Sequence, residues 1–263
     1  MSIRVVVHGA LGKMGTQVIE AVSQAAGMVA VGAVDKFADS TTLTLDDGTA
    51  LPLSQDLVSQ LEGVDVVVDF STADGAKEVI EISTANGVNV VVGSTGLTNE
   101  DYKTAKRQAE EGGVGVIIAP NFAIGAVLLI YLARKASPFF EYADLIETHH
   151  EAKIDSPSGT ALAIASAAIE GKGGPFISKE SEKELVAGAR GGVHEGVNIH
   201  SARMPGRVAH HELVFGALGQ TLTLRHDSIN RESFMPGVVL AINEVIQQNG
   251  LVVGLENVMG LSD

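Results

Sequence analysis

The chain has 263 residues, 45% of them hydrophobic and 19% charged, which supplies core material for one large or two modest α/β domains and excludes general disorder. Its formal net charge of −14 excludes a basic groove for nucleic acid or anionic lipid, so any bound anion needs local positive charge in a pocket. With no cysteine, a disulfide framework, a thiolate metal site and a cysteine nucleophile are excluded as well.

The start, Met1-Ser2-Ile3-Arg4-Val5, passes directly into an apolar strand and lacks the pattern of a secretory signal, so a cytoplasmic protein is expected. Val/Ile-rich runs at 3–8, 28–34, 64–70, 88–92 and 114–119 have the length and composition of strands buried on both faces. Between them, amphipathic stretches at 13–26, 72–85 and 98–111 predict helices. The second opens after Ser71-Thr72, and the third opens on Thr98-Asn99-Glu100-Asp101, close to a capping box, and ends at Gly112-Gly113. This alternation implies a doubly wound parallel sheet of Rossmann type with right-handed crossovers. Residues 41–53 alternate and turn at Asp46-Asp47-Gly48, predicting a small hairpin inserted after the second strand.

The pattern changes after Pro120. A helix is expected over 122–136, stopped by Pro138, and its apolar run is too short for a bilayer, which takes about 20 helical residues. A strand follows at 142–148, then a glycine- and charge-rich stretch, 171–192, expected to be loop with a short helix inside. Three strand-like runs at 197–202, 210–215 and 221–226 imply a second α+β domain on a mostly antiparallel open sheet. A helix over 232–248 and an apolar tail close the chain.

Two constellations carry chemistry. The first strand runs into Gly9-Ala10-Leu11-Gly12-Lys13-Met14-Gly15, a G-x-x-G-x-x-G variant of the dinucleotide fingerprint, with a helix N-terminus positioned for a pyrophosphate. Asp35 closes the second strand, where a carboxylate would take ribose hydroxyls, and Lys36 could instead meet a 2′-phosphate, so NADH, NADPH or both are expected as coenzyme. Gly93-Ser94-Thr95-Gly96 and Ala119-Pro120-Asn121-Phe122 follow later strands, on the side where open α/β sheets bind ligands.

The second constellation is Glu147-Thr148-His149-His150-Glu151-Ala152-Lys153-Ile154-Asp155-Ser156-Pro157-Ser158-Gly159-Thr160. Two histidines and a lysine lie within five residues of one another in an otherwise acidic chain. Pro157 places the start of the following helix near Ser158. Its free N–H groups and the Thr160 hydroxyl would cradle an anion, with His149, His150 and Lys153 adding donors and charge. A carboxylate substrate fits this set. Histidine suits proton transfer near neutral pH. A metal is not expected, because adjacent strand histidines point to opposite faces and no H-x-x-x-H or H-E-x-x-H spacing exists. His194, His200, His210, His211 and His226 read as structural. Arg203 and Arg207 are open between holding a dianion and serving a subunit interface.

Together these segments resemble the 4-hydroxy-tetrahydrodipicolinate reductase (dihydrodipicolinate reductase) family, in order and spacing over nearly the whole chain. The resemblance implies a dinucleotide-binding domain at 1–122 plus 231–263 and a substrate-binding and oligomerisation domain at 123–230. It implies reduction of (S)-4-hydroxy-2,3,4,5-tetrahydrodipicolinate to tetrahydrodipicolinate, with loss of water, by NADH or NADPH in the diaminopimelate route of lysine biosynthesis. It further implies a homotetramer with a small dicarboxylate substrate and neither nucleic acid nor membrane as partner. By the same match, His149 is the proton donor/acceptor and Lys153 the proton donor, while His150, Gly159 and Thr160 hold the substrate carboxylate. Gly9 to Met14, Asp35, Gly93 to Thr95 and Ala119 to Phe122 contact the coenzyme. Ser156 stands where the family usually has alanine, and Thr148 where it has a larger apolar residue; neither change removes a donor. The alternatives are an oxidoreductase acting on another small dicarboxylate and a nucleotide-sensing regulator without catalysis.

Overall fold

The computed structural model describes residues 2–261. In chain order its elements are β1 (Ile3–His8), α1 (Lys13–Gln24), β2 (Met28–Val34), β3 (Thr42–Thr44), β4 (Ala50–Ser54), β5 (Val66–Asp69), α2 (Ala73–Ala85), β6 (Asn89–Val92), α3 (Asn99–Gly112), β7 (Gly115–Ile118), α4 (Ile124–Ala136), β8 (Tyr142–His149), α5 (Gly159–Lys172), β9 (Gly192–His194), β10 (Val197–Arg203), β11 (Ala209–Ala217), β12 (Gln220–Ser228), α6 (Met235–Val245), β13 (Gly250–Val253) and α7 (Leu255–Val258). They fall into two units. One comprises the residues up to Ala123 and those from Arg231 onward; the other is Ile124–Asn230.

The first unit is built on an eight-stranded sheet in the order β13-β7-β6-β5-β1-β2-β4-β3, parallel except for the β3–β4 hairpin. Its central strands are buried on both faces: Val5, Val6, Val7, Val66, Val67 and Val68 have no exposed surface. That is why they read as unbroken apolar runs. Helix α2 is capped by the Thr72 hydroxyl, which accepts from Gly75 N, and α3 by the reciprocal Thr98–Asp101 capping box. The hairpin does more than interrupt the sheet: β4 pairs in parallel with β2 and extends it. The C-terminal segment likewise adds a strand, because β13 pairs in parallel with β7 beyond α6.

The second unit carries a five-stranded sheet in the order β12-β11-β8-β10-β9. Its one parallel pairing is β8 with β10. Residues alternate strictly along β8. Ala143, Leu145, Glu147 and His149 are buried, while Tyr142 and Ile146 on the opposite face are exposed. Ala143 and Leu145 pack with Ile164, Ala165, Leu213 and Phe215 in the core beneath α4 and α5. The same inward row then continues into two titratable side chains.

The short helix expected within 171–192 is absent. After α5 the chain runs through bends and turns to β9, and Leu185 and Val186 in that stretch are exposed. A segment with no buried apolar face lacks the tertiary packing that stabilises so short a helix.

Candidate functional site

In the first unit, the turn after β1 closes tightly. Gly9 has φ of +74°, and a Cβ there would lie 2.8 Å from Phe70 O. A Cβ on Gly15 would collide with Gly9 O, so two of the three glycines are required by the turn and the helix approach. Gly12 is the N-cap of α1 and provides no side-chain cap, which leaves the first-turn N–H groups near Lys13 and Met14 open to an anion. Asp35 is buried. Its Oδ2 accepts from Leu11 N at 3.0 Å and its Oδ1 from Phe37 N at 2.9 Å, so the carboxylate ties the glycine loop to the end of β2. Lys36 reaches over the Phe37 ring.

A cavity of about 500 Å³ opens here, bounded by Gly9, Leu11, Gly12, Asp35 and Lys36 on one side and by the start of α2 on the other. Of the expected coenzyme contacts it takes in these five. Ala10 is buried beneath the loop. The loops Gly93 to Thr95 and Ala119 to Phe122 are linked to it through neighbours. Gly93 lies against the Phe70 ring, Phe122 packs on Phe70 with centroids 5.6 Å apart, and Ser94 Oγ donates to Asp69 Oδ2 at 2.5 Å. Asn121 folds back, its Oδ1 accepting from Ala123 N at 2.9 Å. The glycine cradle, the uncapped helix start and the buried acid at the strand end fit a dinucleotide.

In the second unit, Glu147 is the centre. It is fully buried, and its Oε1 accepts from Arg203 Nη2 at 2.8 Å while its Oε2 accepts from Arg203 Nη1 at 2.9 Å and faces His149 Nδ1 at 2.5 Å. Burial pushes this carboxyl up, but donors on Arg203, Ser201 and His149 outweigh it and hold the group at about 2. The Glu147 carboxylate therefore keeps the His149 proton on Nδ1 and leaves Nε2 for chemistry. Burial holds His149 below its usual value, against the pull of Glu147, and the nearby charges of Lys153 and Arg203 add to the depression. His211 stands edge-on to His149 at 5.3 Å between centroids and meets Ser158 Oγ through Nε2 at 3.2 Å. Burial first, and His149 second, lower it to about 4.

The turn after β8 leads to α5, whose N-cap is Ser158; its Oγ accepts from Ala161 N. Lys153 Nζ donates to Asp155 Oδ1 at 2.7 Å. Asp155 is held below the usual carboxylate range first by Lys153 and also by the Gly159 N–H. Asp155 is thus paired with Lys153 in the turn just ahead of the N-terminus of α5. His150 is exposed at the end of β8 and Thr160 lies half-buried in the first turn. The two adjacent histidines part, one inward and one outward. Among the described residues no group of three or more His, Asp or Glu side chains is placed to hold a metal.

The sequence reading missed Glu147, Arg203 and His211 as one assembly. Arg203 pairs opposite His149 in the β8–β10 register and His211 opposite Glu147 in the β8–β11 register, so strand pairing brings together residues distant in the chain. The two-residue period in β8 was the available signal, since it puts Glu147 on the face of His149. In the first unit the missed groups are His8, Asp69 and Ser71, linked around Asp69.

The family description "Dihydrodipicolinate reductase, N-terminus" matches residues 3–122, and "Dihydrodipicolinate reductase, C-terminus" matches residues 125–259. The chain is 47% identical over 262 residues to the 4-hydroxy-tetrahydrodipicolinate reductase of Dehalococcoides mccartyi, covering 98% of this chain and 99% of that protein. To the 4-hydroxy-tetrahydrodipicolinate reductase of Halalkalibacterium halodurans it is 43% identical over 263 residues, covering 98% and 99%. The dipicolinate-bound dihydrodipicolinate reductase from Paenisporosarcina sp. TG-14 superposes with a TM-score of 0.87 at 39% identity, covering 98% of this chain and 99% of that one.

Proposed function

The chain belongs to the dihydrodipicolinate reductase family, and on that premise we propose that it reduces (S)-4-hydroxy-2,3,4,5-tetrahydrodipicolinate to tetrahydrodipicolinate with NADH or NADPH. The reaction belongs to the diaminopimelate route of lysine biosynthesis. One hydride and one proton enter and one water leaves. The observation that carries the reading is the turn between β8 and α5, where Lys153 Nζ pairs with the Asp155 carboxylate ahead of the α5 N-terminus, following the strand end where His149 is held by Glu147.

In the first unit, the open N–H groups at Lys13 and Met14 hold the pyrophosphate, and Gly9, Ala10, Leu11 and Gly12, whose own N–H closes the turn on Gly9 O, let it approach. Asp35 takes ribose hydroxyls through the lone pairs its backbone donors leave free, and Lys36 serves a 2′-phosphate when one is present. Gly93, Ser94 and Thr95, with Ala119, Pro120, Asn121 and Phe122, line the nicotinamide half. The coenzyme, when bound, supplies the hydride.

In the second unit, one substrate carboxylate displaces Asp155 and takes donors from Gly159, Thr160, His150 and Lys153. The ring is thereby oriented toward His149, whose Nε2 accepts or returns a proton while Glu147 holds Nδ1. The Lys153 ammonium supplies the proton required beside the reduced carbon. Dipicolinate, which the Paenisporosarcina protein binds, is an aromatic analogue of this dicarboxylate and serves as a probe of the turn.

The working form is a cytoplasmic homotetramer. No helix among the described residues is long and apolar enough to cross a membrane, and the β8 face turned away from the helices keeps Tyr142 and Ile146 exposed, as an oligomer contact would. Light scattering of the purified protein tests the tetramer. Steady-state oxidation of NADH and NADPH, with the authentic substrate and a panel of other small dicarboxylates, tests the reaction. Turnover on the authentic substrate alone is expected; faster turnover on another dicarboxylate, or none, would overturn the reading.

A further inference from the structure

The end of β1 carries a group that the coenzyme reading has not used. His8 Nδ1 pairs with Asp69 Oδ1 at 2.7 Å, and Asp69 has no exposed surface. The same carboxylate accepts from Ser71 Oγ at 2.5 Å and from Ser94 Oγ at 2.5 Å. The end of β1 and the loops following β5 and β6 are therefore pinned to one buried acid. Burying a carboxylate is costly unless its lone pairs are filled, and here three donors fill them. The arrangement also immobilises the imidazole, since flipping the ring would break its bond to Asp69.

That leaves Nε2. His8 borders the cavity of about 500 Å³ that also holds Gly9, Gly12 and Asp35. Its ring rests against the first turn of α2, where a Cβ on Gly75 would stand 3.3 Å from His8 Cε1. No described protein group pairs with Nε2. The other ionisable groups bordering the cavity are Asp35, Asp74, Glu78 and Lys36. Three of these four are carboxylates, which suit ribose hydroxyls and repel phosphate. Because Asp69 can only accept, Nδ1 donates to it and Nε2 beside Gly9 presents a lone pair, an acceptor for a ribose hydroxyl that adds no fourth negative charge next to the anionic middle of the ligand.

We propose that His8 is a coenzyme-binding residue: Asp69 accepts from Nδ1 and fixes the ring from behind, and the lone pair of Nε2 accepts from a hydroxyl of the ribose beside the pyrophosphate. This rests on the reading that the first unit takes a nicotinamide dinucleotide. Asparagine at this position mimics Nδ1 but is too short to replace Nε2; glutamine mimics Nε2 but gives up the bond to Asp69. The chain has no tryptophan, so binding of NADH and of ADP-ribose is followed by calorimetry, alongside thermal unfolding. For His8→Asn the expected result is a melting temperature within about 2 °C of the parent and both ligands weakened about tenfold. His8→Gln is expected to recover part of that affinity despite a lower melting temperature. Unchanged affinity in His8→Asn overturns the proposal, as does a loss that follows the melting temperature through both variants. A parent chain that binds neither ligand overturns the coenzyme assignment itself, and the proposal with it.

Discussion

Replacing Glu147 with Gln tests how the second site is held. The side chain is fully buried, with Arg203 forked across both oxygens and His149 Nδ1 on one of them. A carboxyl that ionises at about 2 in the fold against 4.5 unfolded contributes at most about 3 kcal/mol at neutral pH. Solvent at the open end of the site, where Arg203 is partly exposed, brings this to roughly 2 kcal/mol. Glutamine keeps one acceptor but sets an amide N–H against a donor. The expected loss of roughly 2–3 kcal/mol lowers the melting temperature by about 5–10 °C. The sign with pH follows from the depressed carboxyl. Its contribution is complete above 4.5 and fades as the pH falls toward about 2, so the gap between parent and variant must close over that range. Urea titrations at a series of pH values measure it. In the same variant kcat is expected to fall about a hundredfold through the loosened His149, with coenzyme affinity unchanged. A stability gap that is absent at neutral pH, or that stays constant into acid, would refute the reasoning.

Lys153→Ala and His149→Ala are each expected to lower kcat by at least about a hundredfold with the NADH dissociation constant within twofold of the parent; an equal loss in both quantities would show a folding defect instead. Asp155→Asn removes the carboxylate that occupies the helix tip, so dipicolinate should bind about threefold to tenfold more tightly by calorimetry, and weaker binding would show that Asp155 builds the site and does not merely fill it. His211 is held neutral to about 4 by burial, so folding stability should decline as the pH falls from 6.5 toward 4, by up to about 3 kcal/mol. His211→Gln should flatten that decline in urea titrations, and an unaltered slope would assign it to other groups.

The doubly wound half was legible because its strands are buried on both faces and its helices carry their own start and stop signals, such as Thr98 with Asp101 and the left-handed Gly113. Strands β9 and β13 were not. The first has three residues, and the second, though as long as β5, β6 and β7, opens on glycine and keeps its side chains partly exposed, so both are defined by pairing with neighbours. The turn from His149 to Thr160 was readable because its chemistry is contiguous in the chain. Arg203 and His211 were not readable, because only strand register sets them beside Glu147. Asp69 was hidden for a related reason: a buried acid at the end of an apolar strand looks like a strand terminus until its three donors, one from the end of β1 and two from loops, are seen around it.

A crystal structure with dipicolinate and oxidised coenzyme bound tests the central claim most directly. One carboxylate should lie against the N–H groups of Gly159 and Thr160 within reach of Lys153 and His150, with Asp155 displaced and the ring beside His149 Nε2. Dipicolinate found elsewhere, with Asp155 still on Lys153 and the turn untouched, would contradict the account.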